Sequence, residues 1–158
     1  MHRVDVNRQA PVLAAAQAII RAPAERVWHL LATFESWPEW NPQVTNIQLH
    51  GPAAPGTRFR WVAGGSRISS RIEAFEPPRR LAWSGTTAGI RAMHVWTFEA
   101  LPAGTRVRSE ESFEGLLPRW FPTRMRRLLE KSLQQGLAAL KDTAEARVQV
   151  PAKRSPRA

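Results

Sequence analysis

The chain has 158 residues, 43% of them hydrophobic and 23% charged, and 23 Lys and Arg against 13 Asp and Glu give a net charge of +10. Such a length and balance describe one globular domain that can bury a core without covalent staples. The chain contains no cysteine, which excludes disulfides, zinc–thiolate sites and thiol catalysis and fits a reducing, cytoplasmic location. No apolar run approaches the roughly 18 residues that span a bilayer, so no integral membrane association is expected.

In chain order, residues 1–11 read as a flexible N-terminal arm. The alanine-rich stretch Leu13 to Arg21 reads as a first strand, not a signal segment, because its apolar run is short, broken by Gln17 and closed by Arg21. Pro23 suits a helix start, and Val27, Leu30, Leu31 and Phe34 follow at helical spacing. Pro38 and Pro42 then confine Trp37-Pro38-Glu39-Trp40-Asn41-Pro42 to a short turn or elbow. Val44 to Leu49 is a strand ended by Gly51-Pro52. Arg58-Phe59-Arg60-Trp61 alternates with period two, and Gly64-Gly65 marks a hairpin. Further strands run over Arg67 to Phe75, stopped by Pro77-Pro78, and over Leu81 to Thr86, turned at Ala88-Gly89. The last two, Arg91 to Leu101 and Thr105 to Phe113, flank Pro102-Ala103-Gly104. Short links between consecutive strands imply antiparallel pairing. After Leu116-Leu117-Pro118, a helix from Trp120 to Val148 carries Met125, Leu129, Leu133, Leu137, Leu140 and Ala144 on one face. It would be about 40 Å long. Gly136 inside it costs about 1 kcal/mol relative to alanine and marks either a close approach or a neutral surface position. Residues 149–158, with Pro151, Lys153, Arg154 and Arg157, read as a disordered basic tail, leaving 12–148 as the domain.

Strand alternation separates an inner from an outer face. The inner set is Phe59 and Trp61; Ile68, Ser70, Ile72 and Ala74; Leu81 and Trp83; Ala92, His94, Trp96 and Phe98; Val107, Ser109, Glu111 and Phe113. An aromatic wall with a few polar groups is what small-molecule pockets present. The expected ligand site is therefore Phe59, Trp61, Ser70, Trp83, His94, Trp96, Ser109, Glu111 and Phe113 from the sheet. Met125, Leu129 and Leu133 join from the helix, and Trp37 and Trp40 from the mouth. His94 and Glu111 fall on adjacent strands and form a candidate catalytic acid–base pair, the carboxylate favouring the protonated imidazole. The same pair also reads as a buried histidine satisfied by a glutamate. Histidines at 2, 29, 50 and 94 have no metal-ligand spacing, and there is no glycine-rich phosphate loop or nucleophile elbow. No cofactor is expected. Arg58, Arg60, Arg106 and Arg108 fall on the outer face, and Arg124, Arg126, Arg127 and Lys131 crowd the start of the last helix, where they oppose its dipole. A solvated face explains them, as would an anionic headgroup or membrane surface. The aromatics point away from the arginines, so nucleic acid is not an expected partner. The tryptophan elbow is also a candidate homodimer contact.

The order strand, two short helices, six strands, long helix resembles the helix-grip fold of the SRPBCC superfamily, shared by START domains, Bet v 1 allergens and polyketide cyclase/dehydrase-like proteins. Ala22 to Trp28, Trp37 to Pro42, Pro77 to Trp83, His94 to Glu99 and Gly104 to Gly115 carry the likeness, which covers residues 12–147 and is strongest to the small bacterial polyketide cyclase/dehydrase-like group. It implies an α+β architecture: a curved seven-stranded antiparallel sheet around a long C-terminal helix, enclosing a hydrophobic or aromatic small molecule of lipid- or polyketide-like character. Two rival readings remain, since fold does not settle function. One is a polyketide cyclase or dehydratase in which His94 moves a proton and Glu111 tunes it. The other is an interaction module whose basic convex sheet docks an acidic partner over a collapsed cavity. Some aromatase/cyclase relatives place tyrosine and arginine in their pockets; this chain has no tyrosine.

Overall fold

Proline and glycine punctuate the chain, and the secondary structure follows them. The computed structural model describes residues 3–146. Strand β1 (Val12–Ile20) leads to helix α1 (Ala24–Ala32), a single 3-10 turn (Phe34–Ser36) and the four-residue helix α2 (Trp37–Trp40). Six strands follow: β2 (Val44–Leu49), β3 (Arg58–Ala63), β4 (Ser66–Glu76), β5 (Arg80–Thr87), β6 (Ile90–Leu101) and β7 (Gly104–Glu114). A short helix α3 (Leu116–Trp120) and the long helix α4 (Pro122–Glu145) close the described chain. No helix among the described residues is long and apolar enough to cross a membrane.

All seven strands form one antiparallel sheet in the order β1-β7-β6-β5-β4-β3-β2. Only β1 leaves sequence order: it pairs with β7 along its length, from Val12 opposite Phe113 to Ile20 opposite Thr105. Helix α4 lies over the inner face, mainly along β1. The strand makes room for it, because its inner positions between Val12 and Ile20 are Ala14, Ala16 and Ala18. Leu129, Leu133, Leu137, Leu140 and Ala144 of α4 are buried there, each leucine contributing about 2 kcal/mol of burial. The far end of α4 is held by α1. Arg26 Nε donates to the Ala144 carbonyl at 2.7 Å, and its Nη2 to those of Thr143 at 3.4 Å and Ala146 at 3.2 Å. A cation at a helix C-terminus also complements the dipole.

Alternation assigns the inner faces of β3, β5, β6 and β7 as the structure has them: Phe59, Leu81, Trp83, Trp96, Phe98 and Val107 share one core. On β4 the expectation for Ala74 is overturned. A register shift between Ile72 and Ala74 reverses the phase of the strand beyond it, as a bulge does. Ala74 therefore faces outward with Val6, Ala82 and Val95, and Phe75 turns inward, edge-on to Trp28 at 5.2 Å. The expected single helix from Trp120 is also corrected. A proline disfavours helical backbone in the residue before it, and Phe121, ahead of Pro122, sits at φ −127°, ψ 55°. The stretch is thus two helices, α3 and α4. The expected continuation to Val148 and the tail at 149–158 lie outside the described residues. Of the segment read as an arm, residues 3–10 lie along the outer face. Val6 is buried among Ala74, Ala82 and Val95, the Asn7 N–H donates to Ser112 Oγ at 3.1 Å, and Arg8 pairs with Glu110 at 2.6 Å.

Candidate functional site

Between the inner face of the sheet and α4 lies a cavity of about 320 Å³, within the range of small-molecule sites. It opens where its lining is exposed: at Gly64 and Ser66 of the β3–β4 hairpin, Thr86 at the end of β5, and Leu128 and Ser132 of α4. Trp37, Trp40, Trp61, Ser70, Trp83, His94, Trp96, Glu111, Phe113, Leu129 and Leu133 all line it. Three other expected site residues do not. Phe59 is fully buried, edge-on to Phe34 at 5.0 Å. Met125 packs beside Val12, Ala14 and Leu129. Ser109 is fully buried behind His94. Trp37 is interior instead of sitting at the mouth: its Nε1 donates to the Leu31 carbonyl at 2.8 Å, and its ring stacks on Phe34 at 4.7 Å.

Several lining residues escaped the sequence reading. Gly85 continues the inward series begun by Leu81 and Trp83, so its signal was present. A side chain there would meet Ser70 Oγ at 2.9 Å, the same oxygen that accepts the Trp61 Nε1–H at 3.0 Å; glycine keeps that bond open. Gly136 lines the cavity and is buried, so it is not a surface position. Gln43, from the loop after α2, gave no signal at all, and Asn41 none beyond its place in the elbow. Gln43 Nε2 donates to the Ser132 carbonyl at 3.2 Å and to Gln135 Oε1 at 3.1 Å, while Ser132 Oγ donates to Gln43 Oε1 at 2.8 Å. These bonds latch the elbow to α4 across one side of the opening.

The polar end of the cavity is the His94–Glu111 pair, directly opposite each other in the β6–β7 register. His94 Nδ1 stands 3.5 Å from Glu111 Oε2, longer than a hydrogen bond. Its Nε2 is 2.6 Å from Ser109 Oγ, which sets the ring plane. Indoles flank the imidazole, Trp83 at 4.7 Å and Trp96 at 5.3 Å. The expectation that the carboxylate keeps the imidazole protonated is not met, for a physical reason: burial disfavours either charge. Desolvation lowers the His94 pKa to about 3 and raises that of Glu111 to about 8. Near neutral pH the pair therefore consists of a neutral imidazole and an uncharged carboxyl group. A carboxyl in that state can donate a hydrogen bond or a proton into the cavity, while the imidazole can accept one. Two more donors sit in the walls: Trp40 Nε1 and Trp96 Nε1 are buried and have no acceptor among the described residues, and both rings line the cavity. No group of three or more metal-ligating side chains occurs among the described residues.

The fold and site can be set beside known proteins. A hypothetical protein of Helicobacter pylori superposes with a TM-score of 0.78 at 19% identity, over 91% of this chain and 98% of its own. A START superfamily protein from Mycobacterium smegmatis gives 0.74 at 17% identity, over 84% and 97%. BexL, a di-domain ARO/CYC from the BE-7585A biosynthetic pathway, gives 0.72 at 23% identity, over 89% of this chain and 52% of its own. Identities this low establish the shared fold alone. No curated protein matches the sequence. The profile of one family, described as polyketide cyclase / dehydrase and lipid transport, matches residues 11–145. With nearly the whole folded region matched and the START-type sheet and helix in place, the chain belongs to that polyketide cyclase / dehydrase and lipid transport family.

Proposed function

We propose that the protein binds a hydrophobic or aromatic small molecule that carries carbonyl oxygens. One observation carries this reading: an open, indole-walled cavity with the uncharged Glu111 carboxyl and the neutral His94 imidazole at one end. Burial keeps Glu111 protonated at neutral pH, so its O–H can donate to a ligand oxygen. A buried donor left unpaired costs about 1–3 kcal/mol, so a ligand that brings an acceptor to this carboxyl is favoured over one that does not. Apolar contact with Trp61, Trp83 and Phe113 supplies the remainder.

The test is a pair of isosteric probes, acetonaphthone and isopropenylnaphthalene, titrated by calorimetry into the full chain. The ketone should bind about tenfold more tightly than the hydrocarbon, an advantage that Glu111→Leu cuts several-fold. Ala92→Phe, which fills the cavity from β6, should abolish both. Equal affinity for the two probes, or binding unaffected by Ala92→Phe, would sink the proposal.

A cyclase- or dehydratase-type activity has one observation in its favour. An uncharged carboxyl with a pKa of about 8 beside a neutral imidazole is matched to acid–base work near neutrality. In this reading Glu111 gives a proton to a ligand oxygen and His94 takes one from carbon. Glu111→Gln would then leave ketone binding nearly intact and stop turnover of a poly-β-ketone surrogate. The rival interaction module required a collapsed cavity, and the cavity is open.

A further inference from the structure

Exposed apolar side chains are gathered at one place. Six large hydrophobic residues are exposed among the described residues, and five of them, Leu116, Leu117, Trp120, Phe121 and Leu128, lie on α3, the break after it and the first turns of α4. Trp120 is 65% and Leu116 59% exposed. Single exposed apolar residues are ordinary, but a grouped patch marks a contact surface. This one borders the cavity opening. Leu117 lies against Gly89 in the β5–β6 turn, Thr87 and Ile90 on either side of that turn line the cavity, and so does Leu128 itself.

The charges around the patch have one sign. From Leu116 to Gln135 the chain places Arg119, Arg124, Arg126, Arg127 and Lys131 against a single acid, Glu130. All five cations are exposed, and among the described residues none is held in an ion pair. Arg124, Arg126 and Arg127 stand in the first turns of α4, where positive charge opposes the helix dipole, so the dipole does not account for them.

We propose that this face docks on an anionic lipid surface and turns the cavity mouth toward the membrane. Trp120 and Phe121 sit at headgroup depth, where aromatic rings are favoured. The leucines enter the acyl boundary, and the arginines meet lipid phosphates. A second copy of the chain does not fit the patch, because a twofold contact would set five cations against five. Single-stranded nucleic acid would use the aromatics as stacking platforms, but three of the five apolar residues are leucines, which offer no ring to stack on. The inference stands apart from the identity of the cavity ligand.

Sedimentation of the full chain with vesicles tests it. Vesicles of about three parts phosphatidylcholine to one of phosphatidylglycerol should bind at least about tenfold more protein than phosphatidylcholine alone, and raised salt should erase most of the difference. The exposed substitutions Trp120→Ser with Phe121→Ser should abolish binding while leaving the thermal midpoint and ketone affinity unchanged. Arg124→Glu with Arg127→Glu should remove the preference for the anionic vesicles. The proposal falls if the Trp120/Phe121 variant binds vesicles like the parent, since the contact then lies elsewhere on the basic chain. It falls equally if those substitutions dissolve a dimer seen by ultracentrifugation, or abolish tight binding of a single-stranded oligonucleotide without affecting vesicle binding. Loss of ketone binding with vesicle binding retained would count against the cavity ligand and not against this surface.

Discussion

Glu111 and His94 are the side chains whose titration the fold displaces furthest, in opposite directions. Between pH 4.5 and about 8 the folded state keeps a proton on the Glu111 carboxyl that the unfolded state has released, so its contribution to stability falls as pH rises through that window. His94 does the opposite. Between about 3 and 6.5 the unfolded state holds a proton that the buried imidazole lacks, and stability rises with pH. The pair thus produces a climb from about 3 to 4.5, a plateau from 4.5 to 6.5 where the two slopes cancel, and a fall from 6.5 to about 8. Each limb is at most about 1.4 kcal/mol per pH unit, and less here because the side chains of His94 and Glu111 keep 10% and 16% of their exposure. Glu111→Gln should remove the fall, making the variant more stable than the parent at pH 8 and letting stability climb through the former plateau. Urea denaturation across this pH range reads the outcome. A Gln variant that still loses stability between 6.5 and 8 would mean that Glu111 is already ionised in the folded protein.

Between elements, the joint with the densest polar contact to a helix end is the one between α1 and α4. Arg26 spans three carbonyls at the end of α4, groups that a helix terminus otherwise leaves without partners. Arg26→Ala should cost about 1–3 kcal/mol, as lost charged hydrogen bonds do. Arg26→Lys should recover only part of this, because an ammonium is a point donor and cannot bridge the three acceptors as a guanidinium does. Thermal unfolding of the three proteins orders them; equal midpoints for Arg26→Ala and the parent would show that the cap carries no stability. Near the middle of α4, the loop after α2 is tied down by Gln43 and Ser132. The helix is therefore clasped at its C-terminus by α1 and near its middle by the elbow, while its first turns, with α3, stay exposed beside the opening.

At the scale of the whole molecule, the sheet has two covers: α4, α1 and the elbow on the inner face, and residues 3–10 on part of the outer. The second is small but apolar, with Val6 buried against Ala74, Ala82 and Val95. Deleting residues 1–10 should cost about 2–3 kcal/mol from the lost burial of Val6 and the exposure of its partners. Ketone affinity should not change, because the cavity lies on the other side of the sheet. A truncated chain as stable as the parent would show that the arm contributes nothing to the fold. The element order, the strand ends and nearly every inner-facing aromatic could be read from the sequence, because period-two alternation, proline stops and glycine turns act over a few residues. Pro122 also carried a local signal for the break at Phe121. The tertiary structure alone decided the rest. It reversed Ala74 and Phe75 through a register shift against β5, brought Gln43 to Ser132 across a long stretch of chain, and put the Val6 segment on the outer face. It also set the protonation of His94 and Glu111. Each of these depends on neighbours supplied by distant segments, and the cost of desolvating a charge is a sum over all of them, which no local pattern contains.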